Sequence, residues 1–237
     1  MIIEGSRCVV TGGSTGIGLA TAREFATAGA RVVICARTEE RLEAATTELR
    51  VTGAEILPLQ ADVTREEDVE SLIRTVEDAW GGADVLINNA GIGIFGNLLD
   101  LDVADYDRVF AVNVRGLFMC SRAFAPGMAE QGGGVIVNVA SLAGKNAFAG
   151  GAIYSASKHA VMGMSKSMML DLRRHGIRVL TVCPGTVLTP FFDRVDQFDP
   201  DADKSLRAED VAEMILHAVR LSDRGNVSEF EIRPVNP

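Results

Sequence analysis

The sequence predicts an α/β fold, a doubly wound parallel sheet of about seven strands with helices on both faces, in one domain over residues 1–237. Three observations predict it. Short runs rich in β-branched residues alternate with longer stretches of helical periodicity, the pattern of parallel strands joined by crossover helices. The strand-like runs are apolar throughout rather than alternating, as expected of strands covered on both faces. The first of them passes through glycines straight into a helix, "VVTGGSTGIGLATAREFA".

In chain order, RCVVT (7–11) is the first strand and 16–29 the first helix. RVVICA (31–36) and EILPLQA (55–61) are the next strands, with helices at 38–51 and 65–80. DVLIN (84–88) precedes a long helical stretch, 102–130. GVIVNVA (134–140) and IRVLTVC (177–183) bracket a helix at 152–175. A last helix, 207–221, and the strand-like EFEIRP near the end complete a Rossmann-like order. Residues 186–206 are acidic with aromatics, follow a strand end, and are expected to loop over the carboxyl edge of the sheet.

Composition narrows the function classes. Of 237 residues, 47% are hydrophobic and 23% charged, an ordinary balance for a globular domain. A formal net charge of −9 argues against nucleic acid or anionic membranes as general partners. Cys8, Cys35, Cys120 and Cys183 are far apart and form no C-x-x-C pair, so neither a metal site nor a disulfide framework is expected. The opening residues have no basic segment leading into a long apolar run, and no stretch approaches the length of a membrane span. A cytoplasmic location is expected.

Gly12, Gly16 and Gly18 follow the spacing G-x-x-x-G-x-G between strand and helix. Glycines permit the tight turn and let backbone N–H groups approach a pyrophosphate, which the helix N-terminus favours electrostatically. At the end of the second strand, NAD-binding proteins usually carry an acidic residue for the ribose 2′-hydroxyl. Arg37 stands there instead, and a guanidinium suits a 2′-phosphate through charge-assisted hydrogen bonds. NADP(H) is therefore favoured over NAD(H).

A further segment, "YSASK" (154–158), puts Tyr154 and Lys158 on one face of a helix. Taken alone, the five residues read as an ordinary amphipathic helix. A free phenol has a pKa of about 10, and a nearby cation lowers it. The pair could therefore make a proton-transfer group.

With these residues in hand, the chain resembles the short-chain dehydrogenase/reductase family from about residue 5 onward. The resemblance rests on motifs in the family's order: TGGSTGIG (11–18), Asp62-Val63, NNAG (88–91), Asn113, Ser141, YSASK, and Pro184-Gly185 with a following threonine, Thr189. It implies a catalytic set of Asn113, Ser141, Tyr154 and Lys158. Tyr154 would exchange the proton with a carbonyl or alcohol oxygen, and Ser141 would hold the developing alkoxide. Lys158 would depress the tyrosine pKa and bind the nicotinamide ribose. Asn113 would hold a water in a proton relay.

The resemblance also implies that Gly12, Ser14, Thr15, Gly16, Ile17 and Gly18 hold the dinucleotide's phosphates. Arg37 would reach its 2′-phosphate, and Asp62 and Val63 the adenine. Asn89, Ala90 and Gly91 would run along the adenine-side ribose, and Pro184, Gly185, Val187 and Thr189 along the nicotinamide. Two departures stand out. Thr15 occupies a position where many NADP-dependent relatives carry a basic residue. The tail also lacks the Gly-Gly ending of fatty-acid-synthesis ketoacyl reductases.

The implied function is NADP(H)-dependent interconversion of a small carbonyl compound (ketone, aldehyde or 3-oxo acid type) and its alcohol. The alternative is a catalytically silent dinucleotide sensor on the same fold. Leu142, Ala143, Phe148, Ile153, Phe191 and Phe192, with Ile92, Ile94 and Phe95, are expected to line the carbonyl pocket. Lys145 and Arg194 are the nearby cations. The Met-rich helix from 160 onward implies, by the same analogy, a homodimer or homotetramer. No metal is expected.

Overall fold

Runs of Val, Ile and Leu bounded by glycine or polar turns become strands because branched side chains pack well on a pleated surface buried on both faces. A computed structural model, describing residues 1–192 and 201–235, has β1 (Arg7–Thr11), α1 (Gly16–Thr27), β2 (Arg31–Ala36), α2 (Glu39–Arg50), β3 (Ile56–Gln60), α3 (Glu66–Trp80) and β4 (Val85–Asn88). The order continues with α4 (Val103–Phe110), a π-helical turn (Ala111–Gly116), α5 (Leu117–Glu130), β5 (Gly134–Val139) and α6 (Ala152–Leu172). Then come β6 (Ile177–Pro184), β7 (Val187–Leu188), β8 (Leu206–Arg207), α7 (Ala208–Arg220) and β9 (Glu229–Ile232).

Seven strands form one sheet in the order β3-β2-β1-β4-β5-β6-β9, every pairing parallel. β7 and β8 make a separate short pair. Alternate residues of the same strands face two different layers. Val10, Ile34, Ile87 and Val137 pack with Phe25 of α1, Leu49 of α2 and Ile215 of α7. Val9, Val33, Leu86 and Ile136 pack with Leu72 of α3 and Phe124 of α5. Each such buried aliphatic side chain contributes about 1.5–3 kcal/mol relative to exposure.

β1 lies between β2 and β4, so the connections leaving β1 and β4 diverge to opposite sides. Open α/β sheets bind ligands at such a point, outside the carboxyl ends of the strands.

Two departures from the sequence expectation concern the site. The stretch 102–130 is not one α-helix: a π turn separates α4 from α5, and Asn113 lies within it. The extra residue per turn lets the Asn113 amide bond across to the loop after β4 instead of facing its own helix. Second, the expected loop 186–206 contains β7, a 3₁₀ turn at Pro190–Phe192 and β8, while 193–200 lie outside the described residues.

A buried amide ladder crosses the centre of the sheet. Asn88 Nδ2 donates to Ser121 Oγ and to Asn138 Oδ1, both at 2.9 Å, and Asn138 Nδ2 donates to Ser165 Oγ at 2.9 Å. Asn88 and Asn138 are register partners on β4 and β5. Each bond contributes about 1 kcal/mol net, but orphaning one member would cost more. The ladder ties the two strands whose ends carry the site to α5 and α6.

Candidate active site

The glycine turn is clamped to two neighbouring strand ends. The Thr11 hydroxyl accepts from Asn89 N at 3.0 Å and Ala90 N at 3.1 Å. Asn89 Nδ2 donates back to the Thr11 and Gly12 carbonyls at 3.1 and 3.0 Å. Gly13 N donates to the Cys35 carbonyl at 3.2 Å, which brings the end of β2 alongside.

Gly12 and Gly16 have positive φ, +63° and +54°, which an L side chain rarely adopts. A Cβ on Gly18 would fall 2.3 Å from the Gly12 carbonyl oxygen and 2.4 Å from Asn89 Nδ2. Thr15 caps α1 without a side-chain hydrogen bond, and the first turn has no acidic residue. Ser14, Thr15, Gly16 and Ile17 are half-buried around that helix end. Glycines at Gly12, Gly16 and Gly18, at the positive end of a helix dipole, leave backbone N–H groups open to a pyrophosphate. Gly18→Ala is expected to lower dinucleotide affinity at least about tenfold and the unfolding midpoint by about 5 °C. Nucleotide titration and thermal melting check this.

The other expected dinucleotide contacts lie along the same edge. Arg37 is exposed just past β2, and among the described residues it makes no ion pair. Asp62 Oδ1 accepts from Thr64 N and Oγ1, at 2.9 and 2.8 Å. Val63 is buried, and its side chain lies 2.8 Å from where a Gly116 Cβ would stand. Asn89 spends its amide on the turn itself. Thr189 closes over the turn, its Cγ2 3.0 Å from where a Gly16 Cβ would stand. Pro184 ends β6, Gly185 N donates to Ile232 O at 2.8 Å, and Val187 is buried beside them.

Ser141 follows β5 and caps a 3₁₀ turn, its hydroxyl accepting from Ala143 N at 3.1 Å. Tyr154 and Lys158 come from successive turns of α6, with Lys158 Nζ 5.8 Å from the tyrosine ring centroid. Lys158 is buried, and its Nζ donates to the Val139 carbonyl at 2.9 Å, two residues before Ser141. Gly91 leaves the ammonium approachable: a Cβ there would sit 3.6 Å from Nζ and 3.4 Å from Asn113 Oδ1. Asn113 Oδ1 accepts from Ile92 N at 2.8 Å, and its Nδ2 donates to Ile92 O at 2.9 Å and Ser157 Oγ at 3.0 Å. Ser157 in turn donates to the Tyr154 carbonyl at 2.7 Å. The π turn is thereby fastened to the tyrosine-bearing helix. Thr11, Val139 and Ser157 support the site in ways the sequence reading assigned to none of them, although Thr11 and Ser157 lie inside the motifs TGGSTGIG and YSASK.

The electrostatics differ from the expectation that Lys158 depresses the tyrosine. Burial pushes Tyr154 up to about 12, with a hydrogen bond from Ser141 pulling the other way. Burial pushes Lys158 down to about 8. Desolvation disfavours both charged forms, and the ammonium bonds to the Val139 carbonyl.

The expected pocket lining converges in part. Rings of Phe95 and Phe191 pack on Tyr154, and Phe148 packs on Phe95. Lys145 does not face a substrate: it is paired with Glu229 and, at 2.7 Å, with Glu231. Arg194 lies outside the described residues. No helix among the described residues is long and apolar enough to cross a membrane, and all four cysteines are buried free thiols.

A family model described as short chain dehydrogenase matches residues 6–199. An uncharacterised oxidoreductase of Staphylococcus aureus (strain USA300) is 34% identical over 227 residues, covering 96% of each chain. An alcohol dehydrogenase from the archaeon Thermococcus sibiricus, complexed with 5-hydroxy-NADP, superposes with a TM-score of 0.91 at 28% identity, covering 99% of this chain and 98% of that one. A short chain dehydrogenase/reductase from Burkholderia phymatum, in complex with NAD, has a TM-score of 0.89 at 30% identity, covering 98% and 90%.

Proposed function

The chain belongs to the short-chain dehydrogenase family and is an oxidoreductase, and on that footing we propose that it interconverts a carbonyl and an alcohol with NADP(H). The observation that carries this reading is the gathering of Ser141, Tyr154 and Lys158 beyond β5, beside the glycine turn. In this reading one domain holds both sites, on a single seven-stranded sheet.

A bound nicotinamide dinucleotide supplies hydride to the carbonyl carbon or removes it from the alcohol. The chain's own residues do the rest. The turn from Gly12 to Gly18 holds the phosphates, while Asp62, Val63, Asn89, Ala90 and Gly91 flank the adenosine half. Pro184, Gly185, Val187 and Thr189 orient the nicotinamide half. Ser141 Oγ donates to the substrate oxygen where negative charge develops. Tyr154 Oη passes its proton to that oxygen in reduction and recovers it in oxidation. Lys158 keeps a positive charge beside the tyrosine and the nicotinamide ribose, and Asn113 positions α6 through Ser157.

Turnover of aldehydes, diketones and β-keto esters, followed by loss of reduced-nicotinamide absorbance, tests the reading. Tight nucleotide binding with no turnover of any of them would instead support a silent dinucleotide sensor.

Support for NADP(H) rests on Arg37, a cation at the end of β2 beside the turn, and the neighbours above carry both kinds of nucleotide. Arg37→Ala is expected to weaken NADPH binding more than about tenfold, or about 1.4 kcal/mol, while changing NADH binding little. Equal losses for both nucleotides in a calorimetric titration would show that Arg37 does not read the phosphate. Exposed Tyr106, Phe118 and Leu170 on α4, α5 and α6 support a homodimer or homotetramer. The four free thiols are in keeping with a cytoplasmic location.

A further inference from the structure

The rings around Tyr154 form a built clamp rather than a loose apolar lining. Phe95 meets Tyr154 edge-to-face, with centroids 5.2 Å apart and planes at 62°. Phe191 stands 5.7 Å from Tyr154 and 6.3 Å from Phe95, at 55° and 70°. Phe148 extends the group, 5.9 Å from Phe95. The three phenylalanines come from three separate loops, after β4, after β5 and after β7.

Two glycines make room for these rings. A Cβ on Gly93 would lie 2.6 Å from Phe95 Cζ and 2.7 Å from Phe191 Cζ. A Cβ on Gly151 would lie 2.4 Å from Phe148 Cζ. The loops carrying Phe95 and Phe148 are tied together by Gly96 N donating to Gly150 O at 2.9 Å. The basic residue at the start of the second loop, Lys145, is held by Glu229 and Glu231 and so is turned to another task.

Ring faces and edges set at these angles favour another aromatic ring over a saturated group of equal size. A carboxylate among them would lose its hydration, and Lys145, the cation of the loop that carries Phe148, is already paired with two glutamates. We propose that the clamp sets the substrate class: an uncharged carbonyl compound with an aromatic ring next to the carbonyl, the ring packed against the half-buried Phe95 and Phe191. Phe95 is its specificity-determining residue. The inference rests on the carbonyl–alcohol reading above and narrows the 3-oxo acid alternative within it.

The test measures binding as well as turnover. The chain is saturated with whichever oxidised nucleotide binds more tightly, and acetophenone, cyclohexyl methyl ketone and acetoacetate are titrated calorimetrically. Wild type, Phe95→Ala and the bulk-conserving Phe95→Leu are compared, with nucleotide affinity as the control for folding. Acetophenone is expected to bind about fivefold more tightly than the saturated ketone and at least about tenfold more tightly than acetoacetate. Phe95→Leu is expected to lose about tenfold for acetophenone and less than about threefold for the saturated ketone. Acetophenone binding that is unchanged in both variants overturns the clamp. So does acetoacetate binding as tightly as acetophenone, or wild type that does not bind acetophenone at all. Phe95-dependent acetophenone binding in a chain that reduces no carbonyl upholds the clamp and strikes the reductase reading instead.

Discussion

Replacing Tyr154 by phenylalanine is expected to lower kcat for carbonyl reduction about 10³-fold, equivalent to about 4 kcal/mol of transition-state stabilisation. The substitution removes one oxygen and keeps the ring. The contacts with Phe95 and Phe191 therefore survive, and the fold and the clamp should be unperturbed. Nucleotide affinity is expected to stay within about threefold of wild type, because the turn from Gly12 to Gly18 supplies most of that binding. Steady-state kinetics and a nucleotide titration on the same preparation separate the two effects. A variant with undiminished kcat would place the proton donor elsewhere.

Lys158→Met is expected to be nearly as damaging, and it carries a pH signature. The buried ammonium of wild type is held down to about 8, so it is mostly charged at pH 7 and loses its charge as the pH rises through 8. Tyr154, raised to about 12, keeps its proton over that whole window and remains able to donate it. Reduction is therefore expected to be flat at neutral pH and to fall above about pH 8 with the slope of one proton. In Lys158→Met the rate is expected to drop about 10²-fold or more, and that alkaline fall should vanish. An alkaline limb surviving in the variant would mean that another group titrates. Stability moves oppositely. The unfolded chain binds the lysine proton up to its ordinary pKa near 10.4, so this residue's burial costs stability below about pH 8 and ceases to cost it as the pH approaches 10.4.

Much of the fold was readable because buried parallel strands are short, apolar and sharply bounded. RCVVT and RVVICA match β1 and β2 residue for residue. The motif residues were readable for a related reason: glycines at Gly12, Gly16 and Gly18 and a tyrosine–lysine pair on one helix face are local patterns. What was hidden depends on contacts between distant segments. Periodicity alone runs through 102–130 unbroken, and the π turn exists because Asn113 finds Ile92 and Ser157 as partners. The Asn88–Asn138 ladder needs the register of two strands. Lys145 looked available until β9 brought Glu229 and Glu231 beside it. The direction of the Tyr154 shift was missed because spacing reveals the nearby charge and says nothing of the desolvation that opposes it. Phe95 and Phe191 were expected near one pocket, but their angles, and the bare Gly93 between them, belong to the folded chain alone.

The most direct measurement follows the transferred hydrogen. The protein is incubated with a reduced nicotinamide dinucleotide dideuterated at C4 and with an aryl ketone or diketone that it turns over, and the alcohol is analysed by mass spectrometry. Wild type is predicted to give an alcohol carrying one deuterium on the carbinol carbon, with Tyr154→Phe giving almost none of it. An unlabelled alcohol, or equal labelled product from both proteins, would contradict hydride transfer in concert with the Tyr154 proton.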